Sequence, residues 1–175
     1  MAIHAEAVTS EGCASSQELA LQGHKLCLNG QGERTKFFTT VYIANLFLSH
    51  NTNNATQILN AREPQLMRLK IISSFITPDL LRSSIKDGLK LSAGKDYEKY
   101  AAMLDQALAA NNLVVDKGDQ FDFFYIPDKG TYFYRNGEEL GQMPSFSFKK
   151  VLFGIWLGEQ PIQDDLKEDL LTALN

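Results

Sequence analysis

Leu26–Leu48, LCLNGQGERTKFFTTVYIANLFL, is the stretch on which the reading of the chain turns. It opens on a Gly-punctuated turn at Asn29–Gly32 and continues as one β-prone run rich in Phe, Thr, Val, Tyr and Ile. Strands usually have about five to six residues, so a run this long predicts a curved central strand carrying a bulge. Side chains alternate along a straight strand, which puts Arg34, Lys36, Phe38, Thr40 and Tyr42 on one face. A guanidinium offers a planar fork of donors and a phenol offers one O–H. Arg34 and Tyr42 on an apolar-lined face therefore suit a carboxylate. The competing reading is a solvated Arg at a strand end beside a core Tyr. Composition alone favours that one, because charged residues are mostly exposed.

Outward from this run the punctuation is clearer. Gln17–Leu21 and Lys25–Asn29 read as short strands about Gln22-Gly23, and residues 1–16 as a flexible lead-in to a single domain over 17–175. Ser49–Asn54 is turn-rich, Ala55–Ala61 a short helix, and Gln65–Phe75 a strand whose Arg68 and Lys70 are expected on a solvated sheet face. Thr77-Pro78-Asp79 is a helix start, with a capping Thr, Pro in the first turn and an acid beside it. Leu81, Ile85 and Leu89 give that helix its inward stripe as far as Gly94. A second helix opens at Asp96, carries Tyr97, Tyr100, Ala101, Leu104 and Leu108 inward, and ends at Asn111–Asn112. Asp119–Ile126 is a strand. Thr131–Arg135 and Glu138–Gln142 flank Asn136-Gly137, the strongest short hairpin signal. Pro144-Ser145 leads into a helix with Phe148, Val151, Leu152, Ile155 and Trp156 inward, ended by Gly158. A last helix from Asp164 or Asp165 turns Leu166, Leu170, Leu171 and Leu174 inward. Strands, two helices, strands, two helices: the order predicts an α+β domain, a large antiparallel sheet covered on one side by a layer of helices.

Composition narrows the function. The chain has 175 residues, 44% hydrophobic and 22% charged, which is enough for a proper core and is not the profile of a disordered chain. A net charge of −4 argues against nucleic acid as a partner. No apolar run approaches the ~20 residues a membrane-spanning helix needs. The opening MAIHAEAVTSEG lacks the basic and apolar regions of a signal peptide. Cys13 and Cys27 form no Cys/His cluster, and His4, His24 and His50 are scattered, so no metal site and no cofactor are expected. A hairpin at Gln22-Gly23 pairs Cys27 near Glu18, so a Cys13–Cys27 disulfide requires the N-terminal segment to fold back. No phosphate loop, dinucleotide fingerprint or hydrolase motif appears, and Gly30-Gln31-Gly32 precedes a strand rather than a helix. No catalytic residue is assigned.

Several stretches together resemble the bacterial branch of the chalcone isomerase-like family. They are Leu28–Phe38, Val41–Leu46, Tyr134–Gly137 with Leu140-Gly141, Ile155–Glu159, Pro161-Ile162 and Asp165–Lys167, and they span roughly residues 17–174. The resemblance implies that family's open-faced sandwich, with an elongated apolar cleft between sheet and helices. Plant fatty-acid-binding relatives hold the acid with an Arg and a Tyr. Arg34 matches the first in its G-x-G-x-R context, and Tyr42 matches the second after Val41. Phe38 and Thr40 are the neighbouring candidates for ligand contact. True isomerases add a Thr, here falling near Phe37, and a Tyr and an Asn on the helix after the next strand. Phe75–Lys95 contains neither. The expected function is non-catalytic binding of a fatty acid or similar lipophilic carboxylate. The alternatives are an isomerase of the intramolecular lyase type and an interaction module without a small ligand. Bacterial members usually follow a signal peptide, which would make MAIHAEA a mature start and the protein periplasmic.

Overall fold

Leu26–Leu48 is not one strand but a hairpin. β2 (His24–Lys36) and β3 (Thr39–Leu48) pair antiparallel, and the chain reverses at Phe37-Phe38. Both Phe residues take left-handed backbone, with φ of 51° and 62°, the conformation that a two-residue hairpin turn with the right twist demands. It costs a residue bearing a Cβ roughly 1–2 kcal/mol, which is why Asn and Gly normally hold such turns. Two aromatic residues in the middle of a β-prone run give no such signal, so the sequence reads straight through.

The computed structural model describes Cys13, residues 17–108 and residues 113–172. The expected lead-in, apart from Cys13 itself, lies outside them, as do the helix end at Asn111–Asn112 and Leu174. The other strands are β1 (Glu18–Leu21), β4 (Gln65–Ile71), β5 (Gln120–Ile126), β6 (Gly130–Arg135) and β7 (Glu138–Met143). All seven form one sheet in sequence order, each antiparallel to the next. Helices α1 (Ala55–Asn60), α2 (Pro78–Ala93), α3 (Tyr97–Leu108), α4 (Phe146–Leu157) and α5 (Asp164–Leu170) complete the α+β domain. β4 is shorter than expected: Ile72 and Ser73 both donate to the Val41 carbonyl, and the chain leaves the sheet there.

Local chemistry accounts for most boundaries. Thr77 caps α2 by accepting from the Leu80 amide, and Ser145 caps α4 by accepting from Phe148. Asn136-Gly137 turns with positive φ at both residues, as their types favour, and at Gln22-Gly23 glycine holds the second such position. The main core fills the space between sheet and helices. In it Trp156 stacks on Phe123 at 5.8 Å between ring centroids, and Phe123 meets Phe133 edge-on. The opposite face carries a smaller cluster of Leu26, Leu66, Phe124 and Ile126. Strong curling closes it, since the Gln22 side chain at the β1–β2 turn reaches the Tyr134 hydroxyl on β6. On that face Arg68 is not simply solvated: it makes a bidentate pair with the buried Asp122, at 2.8 and 2.9 Å, while Lys70 is exposed.

Cys27 pairs with Glu18 in the β1–β2 ladder, as the hairpin expectation has it. Cys13 nevertheless folds back to form a disulfide with Cys27, with 5.8 Å between Cα atoms.

Lys149, on α4, is fully buried. Its ammonium donates to the carbonyls of Ile58 (2.8 Å), Leu59 (3.1 Å) and Ala61 (3.1 Å), the open C-terminal end of α1. The rings of Tyr125, Phe146 and Phe153 surround it at 5.1–5.6 Å. Burial, with Lys150 and Arg62 nearby, pulls its pKa down to about 7, and the carbonyls and rings are the counterweight that favours the ammonium. Lys149→Met is expected to lower unfolding stability by about 2 kcal/mol or more in urea titrations, because the Leu59 and Ala61 carbonyls lose their donor while Ile58 keeps Gln65 Nε2 and the Ala61 amide. An unchanged urea midpoint would show that α1 does not depend on this clamp.

Candidate functional site

Antiparallel pairing sets Arg34 directly opposite Tyr42, on the face that the helices cover. Opposed residues of this kind sit roughly 4.5–5.5 Å apart at Cβ. A bulge follows at once: Thr35 pairs with Thr40 and Lys36 with Thr39, leaving Val41 as the extra residue. The alternation slips there. Thr40 therefore does not share the face of Tyr42; its hydroxyl donates to Glu33 Oε2 at 3.0 Å. Phe38 sits at the tip of the turn and is fully exposed. Of the four candidate residues, the hairpin brings Arg34 and Tyr42 together and leaves Phe38 and Thr40 apart from them.

The surroundings of Arg34 are built from the other side by α5. Gly30 and Gly32 lie on the helix-covered face, and α5 packs onto them. A Cβ at Gly32 would stand 2.7 Å from Leu166 Cδ1 and 2.8 Å from Asp169 Cβ. This close seat brings Gln163, just ahead of α5, against the free edge of β2. Its side-chain amide behaves as a strand would: Nε2 donates to the Glu33 carbonyl at 2.9 Å and Oε1 accepts from the Thr35 amide at 2.9 Å. The same Oε1 accepts from Arg34 Nη1 at 3.1 Å, and the Thr35 carbonyl accepts from Nη1 at 2.9 Å. The G-x-G-x-R stretch is thus a helix seat followed by a positioned guanidinium. Gln163 carried no sequence signal of its own, because its role comes only from where α5 docks.

Tyr42 is buried, 4% exposed, and its oxygen accepts from Trp156 Nε1 at 3.0 Å. Burial raises its pKa, while the Trp156 hydrogen bond and the Arg34 charge pull the other way without cancelling it. The phenol is therefore neutral at ordinary pH. With the indole occupying its oxygen, its own proton remains for donation.

Beside Arg34 lies a cavity of about 240 Å³ between the end of the β2–β3 hairpin, the segment after β4 and the first half of α2. Arg34, Lys36, Thr39 and Val41 form one wall, Ser73 and Ile76 another, and Leu80 and Ser84 the helix side. Tyr42, opposite Arg34 in the ladder, is not part of the lining. Phe37, Phe75 and Leu80 line the cavity yet are exposed, so it opens to solvent between them. Among the described residues no three His, Cys, Asp or Glu side chains cluster as metal ligands would, and no helix is long and apolar enough to cross a membrane.

Comparison with known proteins fits this architecture. The model of the chalcone isomerase-like family matches residues 7–172. The chain belongs to that family. Among solved structures, this chalcone isomerase-like domain is similar to the crystal structure of a fatty-acid binding protein from Arabidopsis thaliana. The TM-score is 0.67, over 89% of this chain and 96% of that one, at 15% sequence identity. Likeness at that identity speaks for the fold. No curated protein sequence matches the chain.

Two changes separate the parts of this site. Gly32→Ala is expected to push α5 off its seat and cost roughly 1–3 kcal/mol in thermal or urea unfolding. Gln163→Ala is expected to leave α5 in place and to speed hydrogen exchange at the Thr35 amide, which loses its acceptor. Unaltered protection of Thr35 would mean that Gln163 does not hold the β2 edge in solution.

Proposed function

We propose that the protein binds a fatty acid or a similar lipophilic carboxylate without transforming it, head group at Arg34 and chain in the cavity beside it. One observation carries this reading: Arg34, half-buried and without a carboxylate partner among the described residues, lines a largely apolar cavity to which Lys36 adds a second cation. A partly desolvated Arg beside a hollow is a site for an incoming anion. Tyr42, neutral and held by Trp156, stands opposite Arg34 in the strand pair but outside the lining, so the head-group contact falls to Arg34. The fatty-acid binding of the Arabidopsis neighbour supports the same class of ligand.

The division of labour follows from magnitudes. A charge-assisted contact contributes about 1.5–3 kcal/mol, and each buried CH₂ about 0.8 kcal/mol. The chain therefore sets affinity and Arg34 sets orientation. At about 240 Å³ the cavity is slightly smaller than the roughly 300–1,000 Å³ of typical small-molecule sites. It accommodates the head and the first part of a chain, and the remainder leaves by the open mouth. The Cys13–Cys27 disulfide supports an oxidising compartment, consistent with the periplasmic location that the family resemblance implies.

Isothermal titration in lipid-free buffer tests the head-group role. Arg34→Ala is expected to weaken binding of a medium-chain fatty acid by roughly 10- to 100-fold, the equivalent of a charged hydrogen bond. It should leave the matching alcohol almost unaffected. Equal losses for acid and alcohol would remove Arg34 from the head-group site.

A further inference from the structure

The same end of the molecule carries a feature that cargo binding does not require. Phe37 is 85% exposed, Phe38 fully exposed and Phe75 82% exposed, with Leu80 beside them at 54%. Phe37 and Phe38 occupy left-handed positions. The other two-residue hairpin turns of this sheet, Gln22-Gly23 and Asn136-Gly137, both place glycine at the second position. The β2–β3 turn departs from that chemistry and gains two aromatic rings in water. Neither packing nor backbone preference accounts for the choice.

Charge is arranged behind the rings. The Lys36 ammonium lies 5.6 Å from the Phe37 ring centroid, and neither Lys36 nor Arg34 forms an ion pair with a described residue. Glu33 is held on the other face by Thr40, and Asp79 lies in the first turn of α2. An apolar tip with unpaired cations one step back is complementary to an anionic lipid surface: rings below the head groups, ammonium among them. Arg34 and Lys36 give this tip a local positive charge that the chain's net charge of −4 does not predict.

We infer that the Phe37-Phe38 turn, with Phe75, docks the protein on an anionic lipid bilayer, with the cavity mouth facing the membrane. Phe37 and Phe75 also line the cavity, so a docked molecule would pass a lipid tail between bilayer and cavity without exposing it to water. The direction of the mouth rests on the proposed fatty-acid site; adhesion to the bilayer does not.

Flotation of the full chain with vesicles tests this, using equal parts phosphatidylcholine and phosphatidylglycerol against phosphatidylcholine alone. The wild type is expected to float with the anionic vesicles. Phe37→Asn with Phe38→Gly restores ordinary turn chemistry, so it should unfold at or above the wild-type temperature while losing about tenfold or more in vesicle binding. Phe75→Ser, outside the turn, should reduce flotation as well. Lys36→Glu should lower binding to the anionic vesicles. A wild type that stays in solution, or a turn variant that floats equally well, overturns the inference. So does a wild type that ignores vesicles but sediments as a dimer which the turn variant dissolves, since the tip then meets a second copy. Fatty-acid binding in lipid-free buffer is read separately, so loss of one result leaves the other standing.

Discussion

The pairing of β2 with β3 is the constraint on which the site depends. An antiparallel pair has one register once its turn is fixed, and the Phe37-Phe38 turn fixes it with Lys36 opposite Thr39. The extra residue at Val41 then advances one strand by a single position, and Arg34 meets Tyr42. Without the bulge the two would lie out of step, and the guanidinium would face a different neighbour. The bulge also lets Val41 line the cavity although it is adjacent to the buried Tyr42. One inserted residue thus both aligns the polar pair and shapes the hollow next to it.

Pairing alone would leave β2 with an open edge beyond its short contact with β1, and a flexible Arg on it. The glycines at 30 and 32 answer both problems, because absent side chains admit α5 to close contact. Gln163 then supplies in one amide the donor and acceptor that a neighbouring strand would have offered. Asn29 works similarly one turn away: it is wholly buried, donates to the carbonyls of Thr52 and Leu170, and accepts from the Thr52 amide. The C-terminal helix is in this sense part of the sheet's hydrogen bonding as well as its cover.

The sequence makes legible those features whose cause is local. Thr77-Pro78, Ser145 and Asn136-Gly137 mark their elements because each satisfies its own backbone, and the stripe Leu81, Ile85, Leu89 marks its face. Family resemblance points to Arg34 and Tyr42, and alternation along one straight strand would put both on one face. They are partners across a hairpin instead. Phe37-Phe38 hid that hairpin because its residue types oppose its conformation. Gln163, Cys13 and Lys149 were illegible for a related reason, since each is defined by partners far away in the chain. For Lys149 a trace existed: α4 is apolar on nearly every side, so a lysine within it has little surface to reach.

Departures from local rules are of two kinds here, and the difference locates function. Lys149 is a charge in the core, but three carbonyls and three rings answer it from within the fold. Arg68 and Asp122 likewise answer each other. Such exceptions are closed, and stability explains them. At the β2–β3 end the exceptions are open: left-handed aromatics in water, a half-buried Arg34 without a carboxylate, and a hollow whose mouth is ringed by exposed Phe37, Phe75 and Leu80. Natural sequences are otherwise consistent across levels, and violations persist where something outside the fold compensates them. The two proposals divide that demand between them: an acid head group would meet its cationic part and an acyl phase its aromatic part, so a lipid in two settings, bound and in a bilayer, would account for the whole end of the molecule.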